Sequence, residues 1–301
     1  MKTDQKVITN SSIIDNLLIN FPLWFPLTYI FLILNFPSYG KLIFLTSLFI
    51  FAETHFASTW LFFFDSENWE WLKENSYKII FLPVYTLFLI TFVWQYSPFV
   101  IIIIHYLASG WHVTKQSVGI INIYGNKSKI YKFLIYFSSF LCLAVGLNKP
   151  GLLAGAINLN ILNFSICVFI ILYGLFIALN FKKLLTKEIQ LLMPLITGIF
   201  IYLPILFFDD LATATAIGVG MHWCQYLAIV WSKHFRKQNF NEISKNNKNQ
   251  TWKYIAFVMV YAFTMSVLTV NGIVNRNNLT LQYNFFYLIP LSFQLYHFYI
   301  D

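Results

Sequence analysis

The chain has 301 residues, 58% of them hydrophobic and 20% aromatic, with only 11% charged, and its mean hydropathy of +0.64 lies well above the range of water-soluble domains. The net charge of +8 comes from basic residues dispersed among hydrophobic blocks, which excludes a nucleic-acid-binding surface and points to membrane topology instead. Cys142, Cys167 and Cys224 all lie in apolar stretches with no Cys-x-x-Cys pair, which excludes a disulfide framework and a thiolate metal site.

Residues 1–16 form a polar tail without the short apolar core and small-residue cleavage site of a removable signal peptide. Ten apolar runs follow, at 17–37, 41–64, 79–96, 99–119, 131–148, 158–180, 189–208, 211–232, 254–274 and 283–300. Each is close to the length of about 20 residues that crosses a bilayer. The sequence thus predicts an all-α polytopic transmembrane bundle of about ten helices, forming a single integral-membrane domain over 1–301. A cytoplasmic N-terminus places seventeen of the twenty lysines and arginines in the tail, the even-numbered connections or the run ends that adjoin them, leaving only Lys41, Lys149 and Arg276 outside. That bias is the positive-inside pattern and predicts that both termini are cytoplasmic. The acidic, tryptophan-bearing connection DSENWEWLKEN (65–75) falls on the same side. So does the Asn- and Lys-rich stretch 233–253, read as a cytoplasmic loop. No internal repeat is visible, so the inverted-repeat signature of many transporters is missing. Richness in Ile, Phe, Asn and Lys suggests an AT-rich genome and a bacterial inner membrane.

Five of the six histidines, His55, His105, His112, His222 and His297, fall inside predicted spans, and only His234 lies in a basic loop. Ionisable side chains in a span are costly and usually face the bundle interior. Counted from the outer end of each run, His55 is 14 residues in from Lys41, His112 is 13 from Phe99, His222 is 11 from Leu211 and His297 is 14 from Tyr283. At about 1.5 Å of rise per residue, these four share one layer. His105 lies two turns further out, on nearly the same face as His112, and Ser109 and Gln116 continue that polar seam. The eighth run places Thr215, Gly218, His222 and Tyr226 on one stripe, whose small residues suit either a channel or close helix packing. In the tenth, Gln294 precedes His297 by three residues and Asp301 follows it by one turn, while Glu53 precedes His55 by two, about 200° round the helix.

A single intramembrane histidine often serves as an interhelical hydrogen-bond partner; four at one depth point to a shared centre. Imidazole nitrogen suits iron, copper or zinc, and no carboxylate or thiolate cluster competes with it. Iron (Fe2+) held by histidines with open positions activates O2, and in an apolar bundle its natural substrate is a lipid. In this reading His55, His112, His222 and His297 bind the metal, with His105 as a fifth ligand or a supporting partner. Gln116, Gln225 and Tyr226 serve catalysis. Glu53, Ser109 and Asp301 support the imidazoles, and Trp111, Trp223, Thr215 and Gly218 line a substrate channel. Gly-rich phosphate loops, Gly-x-Ser-x-Gly elbows, His-Glu-x-x-His pairs and His-x-x-His-His clusters are all missing from the sequence. Two alternatives stay open: haem b electron transfer with paired histidine ligands, and a transporter or proton relay using the histidines and Glu53. Besides the lipid bilayer, the expected partner is a hydrophobic small molecule. The oligomeric state is not legible.

FAETHFAST in an early run, GMHWCQY in a later one and LYHFYID near the end carry single histidines on separate helices. In arrangement they resemble the bacterial Brp/Blh family of membrane β-carotene cleavage dioxygenases. That resemblance implies four separated histidines holding a non-haem iron that splits a polyene, with an aspartate one turn after a histidine, as Asp301 follows His297.

Overall fold

The computed structural model describes residues 8–9, 11–63, 68–125, 127–149, 153, 155, 157–184, 189–237, 245–274 and 281–300, and among these it is all-helical, without strands. Helix is what a hydrocarbon environment requires, because it satisfies backbone hydrogen bonds within the segment. The helices are α1 (Ser12–Ile14), α2 (Trp24–Asn35), α3 (Gly40–Ser47), α4 (Thr54–Phe63), α5 (Trp69–Glu74), α6 (Ser76–Tyr96) and α7 (Pro98–Ile123). They continue with α8 (Lys129–Leu147), α9 (Leu159–Leu184), α10 (Ile189–Phe200), α11 (Leu211–Lys237), α12 (Lys245–Val274) and α13 (Leu281–Ile300). Two π-wound segments, Asp15–Asn20 and Leu48–Glu53, follow α1 and α3 directly.

Five helical stretches are long and apolar enough to cross a membrane: Pro37–Trp60, Ser76–Tyr96, Lys129–Leu147, Leu159–Asn180 and Trp252–Gly272. A sixth arises if Ser12–Asn20 and Trp24–Asn35, bent by 56°, count as one. Helices α7, α11 and α13 have 26, 27 and 20 residues, but they are not among the five. They carry His105, His112, His222 and His297, and such polar side chains lower a helix's apolarity.

Two predicted runs are broken in the structure, each at a proline. The first, 17–37, is interrupted at Phe21–Leu23, where Phe21 adopts φ −150° and ψ 69°. Pro22 disfavours helical geometry in the residue before it and supplies no N–H. Pro26, in the first turn of α2, takes a position whose N–H needs no helical partner. The run 189–208 ends its α-helix at Phe200 and continues as a 3-10 turn, Leu203–Leu206, with Pro204 at its start.

The chain groups into two compact units, Met1–Pro37 with Gly110–Ile229, and Ser38–Ser109 with Val230–Asp301. In the first, Val118 and Ile121 of α7 join Leu134, Ile135 and Leu141 of α8, Phe169, Tyr173 and Phe176 of α9, and Leu192, Leu195 and Ile199 of α10 in one apolar cluster. The break in the first run is sealed by side chains from other helices. Thr197 Oγ1 donates to the Asn20 carbonyl at 2.6 Å and Gln225 Nε2 to the Ile19 carbonyl at 2.6 Å. Asp15, 2% exposed, accepts from the backbone N–H groups of Ile8 (2.6 Å) and Thr9 (2.8 Å) and from the Tyr124 hydroxyl at 3.2 Å. Within the second unit α12 lies against α13, α4 and the segment Leu48–Glu53, and α13 also packs on α6. Ile90, Trp94, Ile101, Leu288 and Leu291 form its largest apolar cluster among the described residues. Trp60 stacks on Tyr296 with ring centroids 5.6 Å apart, and the Tyr296 hydroxyl donates to the Lys78 carbonyl at 2.7 Å.

Gly218 marks a close backbone approach, since a Cβ there would run into the carbonyl oxygen of Ile201 at the end of the broken run. A backbone atom cannot swing aside as a flexible side chain does. Gly218→Ala is therefore expected to lower stability by about 3 kcal/mol, the upper part of the overpacking range. Gly174→Ala, where nothing lies within 4 Å, should leave it unchanged or raise it by up to about 1 kcal/mol. Thermal unfolding of both variants in detergent checks the contrast.

Candidate functional site

Each unit holds its own buried histidine pair. In the first, His112 of α7 is 4% exposed and His222 of α11 1%. Their ring centroids lie 5.9 Å apart with the planes at 89°, and one nitrogen of each lies within 4.8 Å of the other. Two nitrogens sharing one ion at bond lengths of about 2.0–2.1 Å sit roughly 3.0–3.4 Å apart, so a small adjustment of ring torsions brings this pair to ligand spacing. The His222 ring lies 6.4 Å from that of Tyr226, one turn along α11. Gln225 is also buried, its amide nitrogen fixed on the Ile19 carbonyl at the break in the first run.

The second unit pairs His55 of α4 with His297 of α13, 1% and 2% exposed. Their Nε2 atoms face each other at 3.1 Å, a separation that fits an N–H···N hydrogen bond and equally one edge of a metal's coordination shell. Behind the pair, Thr59 Oγ1 lies 3.0 Å from His297 Nδ1. Phe56 and Phe298 border the His297 ring, with centroids 4.9 and 5.8 Å away. A separate chain runs from Glu53 through Gln294 to His105, with Gln294 Nε2 3.3 Å from Glu53 Oε1 and Gln294 Oε1 2.9 Å from His105 Nε2. Glu53 ends the π-wound segment Leu48–Glu53, and such turns are frequent at functional sites.

The remaining sequence candidates fall in varied settings. Ser109, Gln116, Thr215 and Tyr226 are half-buried. Trp111 is 52% exposed and lies beside Tyr136 and Phe140, with centroids 5.8 and 6.1 Å away. Trp223 is buried, edge-on to Phe25 at 6.4 Å. Gly218 faces the Ile201 backbone, the packing use of the small-residue stripe. Asp301 lies outside the described residues. Thr59 and Gln294 are the polar partners that reasoning from sequence left unassigned. Their contacts to His297 and His105 span 238 and 189 positions, and no local pattern marks a hydroxyl or amide for such a role.

Chemically, the described polar groups of the second unit offer imidazole nitrogens backed by a hydroxyl, an amide and one carboxylate, a nitrogen-dominated set that suits a borderline transition-metal ion. Compared with protein-family models, curated proteins and solved structures, the chain matches none.

The Thr59 hydroxyl is expected to hold the His297 ring in place. Thr59→Val keeps the side-chain shape and strands the facing ring nitrogen, and the expected loss is about 1–3 kcal/mol. Thermal unfolding of this variant beside Ser165→Ala, an exposed hydroxyl on α9, reads the difference.

Proposed function

We propose that the protein is an integral-membrane, metal-dependent oxygenase acting on a lipid-soluble substrate, with histidine-bound non-haem iron as its cofactor and O2 as co-substrate. The reading rests most on one observation: each unit, taken by itself, brings two buried histidines from distant parts of the chain to within reach of a common ion. His55, His112, His222 and His297 are the proposed ligands, and His105 is a further one. Iron bound by imidazoles with open positions supplies O2 activation. The chain's own residues exclude water from the rings, orient them through Thr59 and Gln294, and offer an apolar aromatic surrounding to a polyene or acyl chain.

The five intramembrane histidines do not pair evenly, which ranks haem b, with its paired imidazole ligands, below non-haem iron. In the membrane we place ten spans, with the amino and carboxyl ends and the 233–253 connection, expected as a loop but helical over 233–237 and 245–253, on the cytoplasmic side. The supporting observation is the confinement of all but Lys41, Lys149 and Arg276 among the basic residues to that side. A bacterial inner membrane is the proposed location, and cleavage of a polyene, by resemblance to the Brp/Blh enzymes, is the favoured reaction over oxidation of an acyl chain.

Detergent-purified protein is expected to carry on the order of one or two irons per chain. His222→Ala should lose the iron held by the first unit's pair and His297→Ala that held by the second's, each retaining the elution profile of the parent. Elemental analysis measures the metal, and an optical spectrum without an intense Soret band excludes haem. Folded protein that takes up no iron, copper or zinc ends the proposal.

A further inference from the structure

We propose that Gln294 and Glu53 are positioning residues that fix the proton of His105 on Nε2, leaving Nδ1 as the nitrogen through which this ring binds a metal. The ligand role of His105 rests on the function proposed above; the placement of its proton does not. All three residues belong to the second unit.

The argument runs from carboxylate to amide to ring. A primary amide has two chemically distinct ends, an NH2 that only donates and an oxygen that only accepts. Gln294 meets Glu53 Oε1 at one end, 3.3 Å away, and His105 Nε2 at the other, 2.9 Å away. With Glu53 ionised, the amide turns its nitrogen toward the carboxylate, since the reverse orientation would set two oxygens against each other at that distance. Its oxygen is thereby committed to His105. An oxygen acceptor requires a donor opposite, so Nε2 carries the hydrogen, and a neutral imidazole with its hydrogen on Nε2 keeps its lone pair on Nδ1.

This makes His105 different in kind from its neighbours in the same unit. His55 and His297 turn their Nε2 atoms toward each other at 3.1 Å, so those are the nitrogens they present. His105 presents the opposite one. Metal-binding histidines usually give their spare N–H to a carbonyl or carboxylate, which fixes the ring and raises its basicity. His105 has such an arrangement, with the amide carbonyl itself held by a carboxylate that is 1% exposed. Gln294 stands one turn before His297 on α13, so this one helix presents a ligand nitrogen and also orients a second ring. The cost of burying a carboxylate in an apolar span is large, and the lock gives Glu53 a role that needs its acceptor oxygens.

The test is nitrogen-15 NMR of histidine-labelled, metal-stripped full-length protein at alkaline pH, where the imidazoles are neutral and Glu53 is ionised. The His105 signals are identified by their loss in His105→Gln. The wild-type ring is expected to show a protonated Nε2 with a slowly exchanging, downfield-shifted proton and a bare Nδ1. Gln294→Leu should lose the slow exchange and the downfield shift, and Glu53→Leu, which frees the amide to rotate, should weaken both. A wild-type ring protonated on Nδ1 overturns the proposal without recourse to any variant, as does an unchanged Nε2 signal in Gln294→Leu. Iron titration follows: affinity in Gln294→Leu should drop about 10–100-fold, and an unchanged affinity overturns the ligand role of His105. Wild-type protein with the expected proton position but no metal uptake refutes the metal reading and leaves the placement of the proton standing.

Discussion

Hydrocarbon offers no hydrogen bonds, so every polar group carried into it must find a partner inside the protein. The helical backbone meets that demand locally. Serine and threonine can also bond their own helix; broken backbone and longer polar side chains meet the demand through other helices. The two interrupted runs show how. At Phe21–Leu23 the carbonyls of Ile19 and Asn20 are taken by Gln225 and Thr197 from distant parts of the same unit. At the second break the backbone of Ile201 lies against α11 where Gly218 removes the side chain that would block it. Buried polar residues in this fold therefore act as ties between helices that have little else to orient them, since Leu packs as readily on lipid as on Leu.

The same constraint gives the histidines their arrangement. Each imidazole has two nitrogens to satisfy, and in the second unit a different device serves each ring: a hydroxyl for His297, an amide backed by a carboxylate for His105, and the opposing imidazole for His55. A ring held at one nitrogen presents the other in a defined direction, which is the preorganisation that ligands of a metal ion need. Helices α7, α11 and α13, which bear His105, His112, His222 and His297, fall short of the apolarity of the five candidate spans, so their polar faces have to be covered by protein.

Much of the architecture is local information. The apolar runs, the prolines that interrupt two of them, the position of each histidine along its run and the distribution of lysine all follow from periodicity, propensity and charge, which act over a turn or two of helix. Pro22 and Pro204 stand in plain view; that they break rather than kink their helices depends on partners to complete the backbone. The candidate ligands were legible for the same reason, because an imidazole in an apolar run is conspicuous. Asp301 drew notice by its spacing from His297. Thr59, which lies beside that ring in the structure, carries no such mark, since threonine is common in apolar helices and ordinarily bonds its own backbone.

What the sequence determined by itself, then, is a helical, membrane-embedded chain with imidazoles inside its apolar runs, because those properties are sums over neighbouring residues. Only the tertiary structure decided which imidazole meets which: His55 with His297 across 242 positions, and His105 with Gln294 across 189. It also decided which nitrogen each ring turns to its partner. Contacts of that span depend on how helices rotate and pack against one another, and that is set by shape complementarity among many side chains at once, which no short stretch of sequence encodes.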